Sequence, residues 1–479
     1  LLLSKEVDIV GSNKKEKFTV KSADDNNIRV TVVDEGRKLY DRVFISDQTK
    51  SINLFGLEGN DDFNIEMQAP SPILIRIISG HGEDKITDDY PGVKKNIEVY
   101  DKHRKDKIKQ ASNIKMVDQF QDPVYNNKLF EYPATLPFVG IKNSSGNGLG
   151  VQLTFSKTSF GFNKPQFKSK FALEGIYYPG LSAHFIDFNH RYRHLTGTLD
   201  GQAAITYSSF YSKFPFFYGL GNDSRRDHEL AEDEFYRIDY NIFKANYGLA
   251  KTFWRKSNFL ARIGYQYNNI QQVEDENSFF ATTPQVQEAG KRYFGTVGMA
   301  IDINFKDNDL FTTNGSQLLA EWNTFLNNKS NFSNFSFQLA QYQSYHLLSN
   351  TTFIVRAGGA TVIGNAPFYM LSPLGSNANL RGHVRNRFID RSAIYYNTEI
   401  RMHAGTWRTV LAPLKYGIFG FHDSGKVFSG KLNFKGTFHS TYGIGFYIAP
   451  IDESYSLTFS FARSDDRDNY FRMDFGWSL

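Results

Sequence analysis

Val151-Gln152-Leu153-Thr154-Phe155 and, at the far end of the chain, Tyr470-Phe471-Arg472-Met473-Asp474-Phe475-Gly476-Trp477-Ser478-Leu479 alternate apolar and polar residues one by one. Successive side chains of an extended strand point to opposite faces. Val151, Leu153 and Phe155 therefore share one face, as do Phe471, Met473, Phe475, Trp477 and Leu479, while Tyr470, Arg472, Asp474, Gly476 and Ser478 share the other. The same texture runs from Ala134 to Leu479 and lays out as sixteen strands. They start near Ala134, Gly148, Phe167, Leu181, Gly197, Glu234, Ser257, Lys291, Asn314, Asn331, Thr351, Ser392, Ala412, Gly436, Glu453 and Arg467.

Composition says what such strands face. Aromatic residues make up 16% of the 479, with 44 Phe and 27 Tyr, yet mean hydropathy is negative, so apolar residues are dispersed among polar ones. No run of about 18 apolar residues occurs, which excludes a transmembrane helix and leaves a transmembrane barrel, whose strands need only every second residue apolar. The longest gaps, Tyr211 to Asp233, Val273 to Gly290 and Gly364 to Arg391, all follow odd-numbered strands and so leave one rim. The expected fold is all-β: a sixteen-stranded antiparallel transmembrane β-barrel over 131–479, its first and last strands closing on each other. The competing fold, a soluble propeller or pair of sandwiches, would show a blade repeat of about 40 to 50 residues, and none is present.

Residues 1–130 read differently, as short β-like runs between charged turns. Segments starting at Val7, Ile52, Ile75 and Ile97 share a strand, a polar turn and a return to apolar residues, the last three starting 22 or 23 residues apart. Such a period implies a stacked or sandwich-like β-rich domain, placed in the periplasm when the long loops face outward. Two of its turns, with Gly56, Gly59 and Asp61 and with Gly80, Gly82 and Asp84, resemble calcium-binding nonapeptide turns; Gly and Asp are also ordinary turn residues. Calcium is thus the one candidate cofactor.

Other chemistry is thin. The chain has no cysteine, and its 55 basic against 50 acidic residues give no argument for nucleic acid. There is no Gly-x-Ser-x-Gly elbow, His-Glu-x-x-His pair or P-loop, so no enzyme is read from these residues. His184, His190 and His194 cluster on one strand and read as lumen or rim residues rather than metal ligands. The start at Leu1-Leu2-Leu3 has neither an initiating Met nor a complete signal segment, so an upstream signal and a further domain are expected.

The most informative loop is SNANLRGHVRNRF, with Leu380, Arg381, Gly382 and His383 ahead of the twelfth strand. It resembles the lid motif of the bacterial surface antigen superfamily, which includes the outer-membrane protein insertase, its translocation-module relative and two-partner secretion transporters. The family pattern is Val-Arg-Gly-aromatic, and here Leu380 and His383 depart from it at both ends. The resemblance implies that the loop folds into the lumen and that Arg381 meets carboxylates on the next two strands. Glu399 in YYNTEIRM and Asp423 in YGIFGFHDSGKVF, with Gly425 just beyond, stand at the matching places. A planar guanidinium facing carboxylates in a narrow lumen would be well matched, although Phe419 and Phe421 share the parity of Asp423.

FKDNDLFTTNGSQL, with Gly315 and with Thr312 where Pro is usual, looks like a periplasmic turn of the family, and Phe217–Ser224 is similar to its Gly-rich stretch. The end, Gly476-Trp477-Ser478-Leu479, is close to its C-terminal assembly signal. The family usually carries helix-containing POTRA modules, of which 1–130 shows no sign. The resemblance implies an outer-membrane barrel inserting or translocating polypeptides. Its partners would be outer-membrane lipid, an unfolded or secreted polypeptide client, and accessory periplasmic or surface proteins. Two alternatives stay open: a barrel that anchors or exports an upstream hydrolase of phosphoesterase type, and a passive porin with an open lumen.

Overall fold

The computed structural model describes residues 5–67, 69–90, 96–100, 107–109, 115–117, 125, 134–144, 148–162, 167–209, 216–232, 235–254, 256–270, 278–283, 290–309, 311–347, 349–376, 379–408, 413–431, 435–450, 456–466 and 469–475. Contacts divide the chain into two compact units, Leu1–Glu131 and Tyr132–Leu479.

The described strands of the first unit are β1 (Glu6–Val10), β2 (Lys17–Ser22), β3 (Asn27–Asp34), β4 (Arg37–Ile45), β5 (Ser51–Phe55), β6 (Asp62–Glu66), β7 (Leu74–Ile78), β8 (Lys85–Asp88), β9 (Ile97–Tyr100), β10 (Lys107–Lys109) and β11 (Lys115–Met116). They form two sheets, ordered β1-β5-β7-β9-β11 and β10-β8-β6-β2-β3-β4. The starts of the sequence repeat lie in register across parallel strands: Val7 beside Ile52, Ile52 beside Ile75, Ile75 beside Ile97. The repeat is therefore one turn of a stacked coil. The antiparallel β3–β4 hairpin is inserted after the first turn, so the first two starts lie twice as far apart as the others. Inward residues Ile52, Leu54, Ile75, Ile77 and Val99 of one sheet pack on Phe18, Phe63, Ile65 and Ile86 of the other.

At the corners, Asp84 accepts the Asp61 N–H at 2.7 Å and Asp61 accepts the Glu16 N–H at 2.7 Å, joining turn to turn. Burial raises the Asp61 carboxyl to about 7, against the pull of the Glu16 N–H and with added repulsion from Asp84, Glu16 and Asp62. A carboxyl raised on folding stabilises fully below its unfolded value of 3.8 and loses that contribution as pH climbs to about 7. Hydrogen exchange of β5–β7 in the full chain should thus show less protection at pH 8 than at pH 5 after correction for intrinsic rates. Asp61→Asn should recover about 2–4 kcal/mol at pH 8; equal wild-type protection at both values would contradict this.

The second unit is one antiparallel sheet of sixteen strands. In chain order they begin with β12 (Ala134–Ser144), β13 (Gly148–Ser159), β14 (Ser169–Tyr178), β15 (Ala183–Thr196), β16 (Leu199–Ser208), β17 (Tyr240–Phe253), β18 (Ser257–Ile270) and β19 (Gly290–Asn304). There follow β20 (Gly315–Leu326), β21 (Phe332–His346) and β22 (Asn350–Gly364). A small ribbon, β23 (Ser372–Leu374) and β24 (Phe388–Asp390), intervenes outside the sheet. The sheet resumes with β25 (Ser392–Arg408), β26 (Pro413–Phe428), β27 (His439–Pro450), β28 (Leu457–Ser464) and β29 (Asn469–Phe475). Each strand pairs with its sequence neighbour in the sheet.

The sixteen-stranded all-β fold read from alternation is the fold observed. The sixth strand begins at Tyr240, not near Glu234, because Tyr236 and Ile238 continue the alternation while lying buried ahead of the strand. The expected starts at Glu234, Ala412, Glu453 and Arg467, and the terminal Gly476-Trp477-Ser478-Leu479, lie outside the described residues. β12 and β29 stand at the two ends of the strand order; among the described residues no backbone pair joins them, and residues 476–479 beyond β29 lie outside the described residues.

Burial is reversed relative to a water-soluble sheet. Leu153, Ile444 and Phe471 are 58%, 70% and 72% exposed, whereas Glu399 and Asp423 are 2% and 0% exposed. Apolar side chains point out and charged ones point in, as in a sheet rolled around a polar lumen within lipid. Among the described residues no helix is long and apolar enough to cross a membrane.

Candidate functional site: the Arg381 loop

The loop between β22 and β25 is a short hairpin. β23 pairs with β24 through Ser372–Asp390, Pro373–Ile389 and Leu374–Phe388. At its tip the Leu380 N–H bonds to the Ser376 carbonyl at 3.1 Å, and the Ser376 N–H to the His383 carbonyl at 3.1 Å. Leu380 is fully buried with Leu374, Phe388, Ala393 and Val427, so the tip packs against the inner wall of β25 and β26.

That packing delivers Arg381 to its partners. Its Nε and one terminal nitrogen donate to the two oxygens of Asp423 at 2.8 and 2.7 Å, and its backbone N–H to Asp423 Oδ2 at 3.0 Å. The other terminal nitrogen donates to Glu399 Oε2 at 2.5 Å, and Arg401 Nε holds Glu399 Oε1 at 2.6 Å. Asp423 and Glu399 face the lumen from β26 and β25, as strand parity requires. The fork engages one carboxylate bidentately and a second at its end, the arrangement in which a desolvated guanidinium is best compensated.

Phe421 explains the parity anomaly: its ring lies under the Arg381 guanidinium, 3.7 Å from ring centroid to Cζ. The aromatic residue on the polar face is thus a cation–π floor for the arginine. Gly382 lies so close to β27 that an added Cβ would stand 2.2 Å from Thr441 Cγ2. The bare face of Gly425 receives Leu374: a Cβ there would meet Leu374 Cδ1 at 3.0 Å.

Residues that sequence reading left unassigned extend the network. Arg356 on β22, 3% exposed, donates to Asn397 Oδ1 at 2.8 Å, and Asn397 Nδ2 bonds to the Asn379 carbonyl of the loop at 2.8 Å. Inward parity on β22 was the available signal, but Val355–Arg356–Ala357 has no motif to mark it. A cavity of about 410 Å3 adjoins this wall, lined in part by Ser336, Gln338, Asn379 and Tyr395.

The loop is also covered from outside. Phe217, Ile238, Phe280, Phe368, Tyr369 and Ile389, from the three long loops and their strand ends, form one buried cluster. The Gly-rich stretch 217–224 reaches the hairpin directly, the Gly221 N–H bonding to the Ile389 carbonyl at 2.8 Å. At the opposite rim, Asp307 organises the turn before Gly315 by accepting the Thr313 and Asn314 N–H groups, each at 3.0 Å. Thr312 bonds through its hydroxyl to the Asn308 carbonyl at 2.7 Å.

The remaining candidates stand apart. Asp61 and Asp84 each accept a backbone N–H of the preceding turn, and the described residues bring no three His, Asp or Glu side chains into a metal-holding group. Such a donor set does not fit a calcium ion, which takes about 6–8 oxygens. His184 stacks between Tyr177 and Tyr207, with ring centroids 6.3 and 6.4 Å away.

Among solved structures the chain resembles BamA from Haemophilus ducreyi lacking POTRA domains 1–3. The identity is 14% and the TM-score 0.51, over 72% of this chain and 70% of that one. It also resembles CdiB from Acinetobacter baumannii, at 12% identity and TM-score 0.45, over 71% and 58%. No protein-family model and no curated protein matches. The BamA likeness is one of fold.

Proposed function

We propose that this chain is an outer-membrane barrel that inserts or translocates polypeptides, with the Arg381 loop latched in the lumen as its lid. The observation that carries this reading is the buried fork of Arg381 on Asp423 and Glu399, held inside a sixteen-stranded sheet whose outer face is apolar. The lid resemblance and the BamA-like fold point the same way. Outer-membrane lipid covers the exposed face of residues such as Leu153, Ile444 and Phe471.

Client engagement is assigned to the two ends of the sheet. On β12, Leu136, Phe138, Val139 and Ile141 are all exposed, so residues of both parities are uncovered. An edge strand with free backbone groups is a template for an incoming strand. We assign the N-terminal unit to the periplasm, where it and accessory proteins present an unfolded or secreted client.

Reconstitution of the full chain in liposomes tests this. An unfolded outer-membrane barrel polypeptide added outside should become protease-resistant and heat-modifiable at least about tenfold faster than with empty liposomes. Tenfold corresponds to about 1.4 kcal/mol of barrier. No acceleration, for this client or for a secreted one loaded on the periplasmic side, would overturn the reading.

A further inference from the structure

Beyond the Arg381 fork, the lid loop makes a second set of charged contacts on its other flank. His383, 0% exposed, places Nε2 3.0 Å from Asp465 Oδ1 and Nδ1 3.6 Å from Asp466 Oδ2, both carboxylates belonging to the turn between β28 and β29. Neither contact has hydrogen-bond geometry. The attraction is strongest when the imidazole is protonated and carries charge. His439, at the start of β27, sets Nδ1 2.9 Å from Asp465 Oδ2 and Nε2 2.8 Å from the Asn222 carbonyl oxygen. Both of its nitrogens face acceptors, an arrangement that a ring satisfies only with a proton on each. Arg387 of the lid loop joins the same turn through Asp466 at 2.6 Å, and the Phe388 ring stacks on His439 at 3.7 Å. Among the described residues no carboxylate other than Asp465 and Asp466 lies within ion-pair distance of either imidazole.

We propose that this cluster is a proton-controlled clasp: protonated His383 holds Asp465 and Asp466 and so, with His439 packed beside it, fastens the lid loop to the turn of the last hairpin. The inference rests on the lid reading and adds its regulation. Because β29 is the last strand of the sheet, the clasp ties the lid loop to the final hairpin.

The direction of the response follows from the groups. Burial lowers the His383 imidazole, and Asp465 and Asp466 more than reverse this, leaving it above its ordinary 6.5. Burial raises Asp465, but the two imidazoles hold it well below the ordinary carboxylate value, and His383 and Arg387 do the same for Asp466. A histidine raised on folding contributes fully below 6.5 and loses its contribution as pH rises through the folded value. The depressed carboxylates contribute above 3.8 and lose it only in stronger acid. The clasp is closed in mildly acidic medium and opens on the alkaline side.

Hydrogen exchange of residues 379–390 in the full chain in nanodiscs, at pH 5.5 and 8.5 and corrected for intrinsic rates, reads the clasp without any client. Wild-type protection should fall at least about tenfold at the higher pH. His383→Gln should abolish that ratio, with β15–β16 protection as the check that the barrel is folded. Asp465→Asn combined with Asp466→Asn should lower protection at pH 5.5 to the level seen at 8.5. A pH-independent wild type overturns the proposal, and so does a His383→Gln variant that loses protection equally at both values while keeping the wild-type ratio. Either result leaves the Arg381 latch, which is read by its own variant, standing or falling separately.

Discussion

Arg381→Ala should free the Arg381 loop from the lumen wall. The variant leaves two carboxylates, Glu399 and Asp423, buried at 2% and 0% exposure with one of their cations gone. Removing one member of a buried ion pair costs about 3–5 kcal/mol, because the remaining charge stays desolvated. The fork, its backbone N–H bond and the Phe421 floor are local to the loop tip, so that cost falls on the docked loop rather than on the sixteen-stranded sheet. Protection of residues 379–390 against hydrogen exchange should drop by about 100-fold or more, while β15–β19 keep theirs, as about 3 kcal/mol requires. Arg381→Lys should recover little, since an ammonium cannot engage both oxygens of Asp423 and one of Glu399 in a single plane. A charge-only latch, in which lysine restores protection fully, is the outcome that would count against the fork.

Gly382→Ala should have the next largest effect, by a route that leaves every charge in place. The added Cβ would lie 2.2 Å from Thr441 Cγ2, 2.8 Å from its Oγ1 and 3.0 Å from its Cβ. No rotamer of a threonine clears that space, so the loop tip must lift from β27 and stretch the Arg381 contacts beside it. Overpacking of this kind costs about 1–3 kcal/mol. Thr441→Ala removes the two nearest atoms, and the pair Gly382→Ala with Thr441→Ala should be closer to wild type than Gly382→Ala alone. Additive losses in that cycle, read by the same exchange measurement, would mean that the two residues do not touch.

Much of this was legible in the sequence because it is periodic. Alternation of two marks a strand and its faces, so strands such as β13, with Leu153 out and Gln152 in, could be counted, and inward parity put Glu399 and Arg401 in the lumen. Arg381, Glu399 and Asp423 could be set together because the family motif supplied the long-range pairing that periodicity lacks. Phe421 looked like an error of parity, since a pattern of apolar and polar residues cannot say that an aromatic ring is serving a cation. The clasp was invisible for another reason. Asp465 and Asp466 sit in a tight turn, where acidic residues are ordinary, and their partners His383, Arg387 and His439 come from a loop and a strand far off in the chain. In the N-terminal unit the 22- to 23-residue period was readable, but a stacked coil and a sandwich share such a period. Only the registers Val7–Ile52–Ile75–Ile97 distinguish them. The β3–β4 insertion hid the first of those spacings.

Conductance across a planar bilayer tests the central claim most directly, because a lid latched in the lumen and an open pore differ in kind. The full wild-type chain should pass little steady current, with brief openings, and Arg381→Ala should convert it to a sustained conductance several-fold larger. A wild type that conducts steadily at the level of an open barrel, unchanged by Arg381→Ala, would contradict the account and leave a passive pore in its place.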